Sequence, residues 1–367
     1  MKRITLLAGF VLVGCMLVRT ASAQVTPAAV STPPDDTPSI KVGAVIYPDF
    51  TYTLNPKTTD ADGNPINASQ FNVTRSYINI TGNISHIVAF RLTPDIARES
   101  SSFSSLNGSL VFRIKYAYAQ FNLDDWMTKG SYARFGIQQT PWLDFAEGIY
   151  RYRFQGTMFP EREGYFASAD AGAGFHYQLP ANYGDIHLGV FNGENYNRAE
   201  ANDQKAFMIR GTVRPFANPS MPMVLRGVRA SLFYDGDSYV KNGPRKRMIA
   251  GLNYEHRFVN GGFEYLDAED RPTVTRPGVD SKGYSVWVTP KSRMGLEALL
   301  RFDHLQPNTS LSNQTRNRTI VGVAYWFPHE GAVSSAMMLD YDGQTFDNLA
   351  PALPRQSRVA VHGLISF

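Results

Sequence analysis

The chain is nearly devoid of cysteine, with one, Cys15, in 367 residues. That residue falls inside an N-terminal stretch with the three parts of an export signal: cationic Met1-Lys2-Arg3, an apolar run from Ile4 to Val18, and the small-x-small cleavage site Ala21-Ser22-Ala23. Removal of residues 1–23 leaves no disulfide, thiolate nucleophile or cysteine-bound zinc. Leu12-Val13-Gly14-Cys15 also reads as a lipoprotein acylation box, although the apolar Met16-Leu17-Val18 after it is unusual beside a lipid-bearing residue. Long hydrophobic runs are equally scarce, and past the signal none is long enough to cross a bilayer as a helix. A charge excess is missing too. Lys2, Arg3 and Arg19 account for three of the 36 basic residues, which leaves 33 against 32 acidic ones, so nothing points to nucleic acid as a partner. His86, His176, His187, His256, His304, His329 and His362 sit in no nucleophile motif and in no zinc-binding helix spacing. No catalytic residue, metal ligand or cofactor is therefore expected.

Aromatic residues are plentiful by contrast: 23 Phe, 19 Tyr and 4 Trp. Residues 24–39, rich in Pro, Thr and Ala, cannot bury much apolar surface and are expected to form an extended linker. Residues 40–367 form the folded body. No helical period persists there, but every-other-residue hydrophobicity recurs. From Leu110 to Leu123, Phe112, Ile114, Tyr116 and Tyr118 alternate with Arg113, Lys115, Ala117 and Ala119, which suits one face to lipid and the other to water. Sixteen strands are expected, at 40–54, 70–81, 85–95, 109–123, 130–139, 168–179, 184–192, 205–216, 225–234, 246–258, 262–268, 282–290, 294–306, 318–327, 336–342 and 357–367. Gly82-Asn83, Asp124 to Lys129, Pro180 to Tyr183, Val259-Asn260-Gly261 and Lys291-Ser292-Arg293 carry turn chemistry. The links at 55–69, 97–108, 141–167, 193–204, 269–281 and 344–356 are longer and polar. Short turns at one end and long loops at the other fit an outer-membrane barrel whose turns face the periplasm.

Phe121, Trp126, Phe175, Tyr177, Phe216, Phe258, Phe263, Trp326 and Phe327 cluster near the short turns and are expected to form an interfacial girdle. In the last strand Val359, Val361, Gly363, Ile365 and the terminal Phe367 share one face, and Arg358, Ala360 and His362 the other. An alternating strand ending on Phe resembles the signal read by the barrel assembly machinery. Together these features predict an all-β fold, a closed transmembrane antiparallel β-barrel of about sixteen strands. Asn72, Asn79 and Asn317 match a glycosylation pattern but fall in strands, and Gly172 and Gly174 precede no helix, so none marks a site. Lys241 with Arg245-Lys246-Arg247 is expected on an outer loop, able to pair with lipopolysaccharide phosphates.

Four blocks carry a family likeness: Phe112-Arg113-Ile114-Lys115-Tyr116-Ala117-Tyr118; Tyr132-Ala133-Arg134-Phe135-Gly136-Ile137-Gln138-Gln139-Thr140-Pro141; Gly189-Val190-Phe191-Asn192-Gly193-Glu194; and Arg210-Gly211-Thr212-Val213-Arg214-Pro215-Phe216. In this order they resemble the phosphate-selective porin O and P family. The resemblance implies a sixteen-stranded barrel, often a homotrimer, with a long third loop folded into the lumen as a constriction. That loop is 141–167, with Asp144, Glu147, Arg151, Arg153, Glu161, Arg162 and Glu163, which pin it, select ions, or do both. Alternation places Arg113, Lys115, Arg134, Arg210, Arg214, Arg229, Arg257, Arg301 and Arg358 inward, opposed in the C-terminal half by Glu255, Glu297, Asp303 and Asp340. Cross-pairing is expected in that half. The first five lack obvious strand acids, which leaves a positive stripe in the N-terminal half. The expectation is an outer-membrane porin passing small hydrophilic solutes or anions by diffusion, in contact with lipid and lipopolysaccharide. A plugged structural or adhesin-type barrel and an outer-membrane hydrolase are the alternatives.

Overall fold

The computed structural model describes residues 36–311 and 313–367. The export signal, Cys15 and most of the linker lie outside the described residues. Sixteen antiparallel strands close into one barrel: β1 (Ser39–Asn55), β4 (Ser69–Asn83), β5 (Val88–Arg98), β6 (Leu110–Asn122), β7 (Tyr132–Gln139), β8 (Ala169–Gln178), β9 (Gly184–Phe191), β10 (Ala206–Val213), β11 (Val228–Val240), β12 (Gly243–His256), β13 (Val259–Asp270), β14 (Val279–Pro290), β15 (Leu296–Gln306), β16 (Thr315–Phe327), β17 (Ser334–Asp347) and β18 (Gln356–Ser366). Each pairs with its sequence neighbours, and β1 pairs with β18, so no strand edge is left open to hydrocarbon. A two-residue pair, β2 (Thr58–Thr59) and β3 (Pro65–Ile66), stands on the first long loop. Among the described residues no helix is long and apolar enough to cross a membrane.

Alternation explains the wall. In β16 Val321, Val323 and Tyr325 are exposed while Ile320, Gly322, Ala324 and Trp326 are buried, and β18 repeats the pattern with Ile365 out and Ala360, His362 and Leu364 in. The terminal Phe367 is exposed, and its backbone exchanges hydrogen bonds of 2.9 and 3.0 Å with Ala44, completing the closure.

The expected strands all form; the turn expected at Gly82-Asn83 falls at 84–87, because β4 runs to Asn83 and β5 starts at Val88, and four further local corrections apply. First, pairing slips by one residue at Pro94, where Thr93 faces Tyr116 but Pro94 faces Ile114. Lys115 is the extra residue, so Tyr116 and Tyr118 point inward with it, not to lipid as simple alternation implies. A proline without an N–H to donate is a natural site for such a bulge. Second, the turn assigned to Val259-Asn260-Gly261 falls at Arg257-Phe258, which puts Arg257 on an exposed turn and off the inner wall. Third, Arg245, Lys246 and Arg247 lie within β12, because β11 and β12 stay paired as far as Val240 and Gly243. Lys246 faces outward on Glu269 at 3.0 Å, while Arg245 and Arg247 bind Asp237 and Asp270. Fourth, Trp326 leaves the girdle: it is buried against the third loop, whereas Phe121, Trp126, Phe263 and Phe327 are exposed as expected.

Candidate functional site

The third loop supplies the site's floor. Thr140 ends β7's extension, Pro141 starts helix α1 (Pro141–Tyr150), where its missing N–H costs nothing, and Arg151 ends it in the left-handed conformation. A second short helix, α2 (Phe159–Arg162), follows. Trp142, Leu143, Ile149, Tyr152, Phe154, Met158, Phe159 and Phe166 pack with inward wall residues Phe233, Ile249, Leu266, Trp287, Leu299, Leu305, Ile320 and Trp326 in one apolar cluster. The loop therefore lies inside the barrel, mostly against β11–β16, with further contacts to β1, β7, β10 and β17. Two glycines seat it: a Cβ on Gly251 would collide with the Trp142 indole, and one on Gly283 would stand 2.7 Å from Phe159 Cζ.

Polar contacts finish the attachment. Trp142 Nε1 donates to Glu264 at 3.1 Å, Tyr152 Oη to Glu297 at 2.8 Å and Gln155 Nε2 to Asp340 at 2.8 Å. Asn260 and Arg301 donate to the loop carbonyls of Ile149 and Thr157, and Arg210 to that of Pro141. The expected loop charges are all engaged. Asp144 lies 3.7 Å from Arg134; Arg153 pairs with Glu147 at 2.7 Å and Glu161 at 3.3 Å; Arg151 pairs with Glu297 and stacks on Trp326; Arg162 reaches Asp342 at 3.7 Å; Glu163 meets Arg316 at 3.3 Å.

The opposite wall, β4–β7, holds its cations differently. Lys115 Nζ sits 4.8 and 5.3 Å from the ring centroids of Tyr77 and Tyr116, Arg91 4.5 Å over Tyr116, Arg134 4.2 and 4.8 Å over Tyr132 and Tyr118, and Arg113 4.9 Å over Tyr196. Among the described residues Arg91 and Lys115 have no carboxylate within 4 Å; Arg91 bonds Asn79 and Thr93, and Lys115 bonds the Tyr77 hydroxyl. Ring faces hold a cation in place without cancelling its charge.

The positive stripe is thinner than the sequence implies. Asp95, fully buried on β5, is shared by Arg113 and Arg75, and Asp185 on β9 binds Arg210. Arg214 lies just past β10 at the short-turn end. In the C-terminal half pairing is as expected: Arg229 with Glu255 at 2.6 Å, Arg301 with Asp303 and Arg358 with Asp342 at 3.3 Å. Sequence reasoning overlooked Arg75, Arg91, Arg318 and Asp342. Arg91 was legible, since it shares the inward face of β5 with Ala89, Thr93 and Asp95.

Between the loop tip and β1, β4 and β16–β18 lies a cavity of about 530 Å³. Its charged lining is Arg75, Arg153, Arg162, Arg318, Arg358 and Asp342, with His362, Thr53, Asn55, Gln155, Gln344 and Phe154 between them. Thr53, Asn55, Gln344 and Gln356 place it toward the long-loop end of the barrel.

A sixteen-stranded antiparallel barrel with an inward loop and a polar, cation-lined passage beside it is the architecture of a porin. A family model described as phosphate-selective porin O and P matches residues 51–257, more than half of the chain, and the chain belongs to that family. It is an outer-membrane porin, and family and fold point to a channel rather than an enzyme. No curated protein sequence matches it. Similar solved structures include an anion-selective porin from Comamonas acidovorans (10% identity, TM-score 0.60, covering 90% of this chain and all of that one). The outer-membrane channel DcaP of Acinetobacter baumannii is similar at 12% identity and TM-score 0.58, over 90% of this chain and 97% of that one. OmpT of Vibrio cholerae in its trimer form is similar at 12% identity and TM-score 0.57, over 90% and 100%. At such identities these likenesses speak to the fold alone.

Proposed function

We propose that the channel passes small hydrophilic solutes by diffusion, with preference for anions, and without catalytic turnover. The observation that supports this most is the row Arg91, Lys115 and Arg134, whose charges rest on tyrosine rings beside the loop. A water-filled passage confined by low-dielectric walls makes such charges act with little screening, so anions are concentrated and cations repelled. The passage runs past the loop, whose residues 141–167 set its width. Assembly as a homotrimer is part of the proposal, in line with the trimer form of the Vibrio cholerae relative. So is a role for Phe367 as the terminal residue read by the barrel assembly machinery, and contact of the outer wall with lipid and lipopolysaccharide. Current through single channels in a planar bilayer under a tenfold KCl gradient tests the reading. Discrete steps with an anion-side reversal potential are expected; no steps from folded protein would reject it.

A further inference from the structure

Three arginines from three different elements converge on one carboxylate at the cavity above the loop tip. Arg318 on β16 donates twice to Asp342, at 2.9 and 3.0 Å, Arg358 on β18 once at 3.3 Å, and the loop's Arg162 stands 3.7 Å away. One aspartate cannot use the donors of three guanidiniums, each of which carries five N–H groups. Among the described residues Arg358 has no other hydrogen bond, and Arg162 Nη1, buried, has none. A second pole lies across β1. Arg75 on β4 lines the same cavity and spends only one nitrogen, Nη1, on Asp95 at 3.2 Å. Arg153 is committed to Glu147 and Glu161.

The spacing of the poles decides what fits. Arg75 pairs with Tyr47 on β1, while Arg358 pairs with Thr53, six positions further along that strand. At about 3.3 Å per residue the two backbones are roughly 20 Å apart along the strand. Two long side chains close part of that distance, and a ligand with two separated charged ends suits what remains better than a compact anion does. A volume of about 530 Å³ is in the range of sites for organic molecules, about 300–1,000 Å³. Between the poles the lining offers neutral donors and acceptors, Thr53, Asn55, Gln155, Gln344 and Gln356, and one aromatic face, Phe154.

We propose that this cavity is a binding site for an organic dianion with two separated anionic groups, one held by the Arg162, Arg318 and Arg358 cluster and the other by Arg75. Asp342 acts as a built-in competitor: it holds the three arginines in place when the site is empty and weakens binding enough for the solute to leave. The inference deepens the anion-channel reading but is tested apart from conduction. Titration calorimetry of the detergent-folded protein with adipate, acetate and inorganic phosphate measures occupancy directly. Adipate is expected to bind at least about tenfold more tightly than either other probe, the worth of one additional charge-assisted contact. Arg75→Gln and Arg358→Gln, both at partly exposed side chains, should each bring adipate down to the level of acetate, and Asp342→Asn should tighten it. Phosphate binding as tightly as adipate, adipate affinity unmoved by Arg75→Gln, or no adipate binding to a barrel that still runs as folded protein on gels overturns the site. The same protein conducting anions with any of those results would leave the channel reading standing, and adipate bound without conduction would do the reverse.

Discussion

Strands β11–β16 and strands β4–β7 both turn arginines into the barrel, yet the two walls hold them by different physics. On the first wall Arg229, Arg247 and Arg301 are each matched by a carboxylate at 2.6 to 2.8 Å, and aromatic side chains of the loop fill the space between. On the second, Arg91 and Lys115 lie on tyrosine rings with neutral hydrogen-bond partners. A matched pair stiffens a wall and contributes little field at a distance. A cation on a ring keeps its charge and still loses its freedom to move. The fold thus seats the loop on a wall of matched charges and holds the cations of the facing wall on rings.

The comparison breaks most sharply where the loop is seated. Gly251→Val drives a branched side chain into the Trp142 indole, and overpacking of this kind costs about 1–3 kcal/mol. A loss of thermal stability together with a changed single-channel conductance is expected; wild-type values in both would mean that Trp142 does not hold the loop. Removing the ring-held charges comes next. Arg91→Gln with Lys115→Gln should move the reversal potential toward zero, whereas Arg229→Gln with Glu255→Gln, which removes a matched pair, should leave it nearly where it was. Equal shifts would erase the distinction between the walls. A smaller effect is expected of Trp142→Phe, which keeps the apolar seat but removes one donor to Glu264, at a cost of about 1 kcal/mol. Denaturant unfolding of the two proteins measures that difference.

The smallest effect belongs to the short-turn end, outside both walls. His86, on the turn between β4 and β5, is held by Asp36 at 2.6 Å and Asp125 at 2.9 Å. These hydrogen bonds raise the imidazole above its ordinary value and hold Asp36 below the usual carboxylate range. The histidine's contribution is complete below its unfolded value and fades as pH rises through the raised one; the aspartate's is complete above its unfolded value and fades as pH falls through the lowered one. The clasp that ties the start of β1 to this turn is therefore firmest between the lowered aspartate and the raised histidine values. A proton NMR titration should place His86 above free histidine, and Asp36→Asn should lower it; an unchanged midpoint would deny the contact.

Much of this was legible before any coordinates. The period of two places Val321 and Val323 outward and Ala360 and His362 inward whatever the surroundings, because successive side chains of a strand must point to opposite faces. Alternation could not carry through Pro94. There a single extra residue, Lys115, reverses the phase and turns Tyr116 and Tyr118 into the lumen, where they become the rings on which Arg91 and Arg134 rest. Nor could it find the partners of charges. Asp95 is 18 residues from Arg113 and Asp342 is 16 from Arg358, and which acid meets which base depends on the register between strands and on side-chain reach.

The sequence alone determined a closed barrel of about sixteen strands and the faces of most of them, since each follows from local periodicity, turn chemistry and the cost of an unpaired backbone in lipid, while the inward third loop was implied by the family resemblance. Only the tertiary structure decided which wall the loop leans on, which arginines keep their charge, and that Arg75, Arg162, Arg318 and Arg358 share one cavity around Asp342. Those outcomes depend on distances between residues far apart in the chain, and such distances are set when the barrel closes.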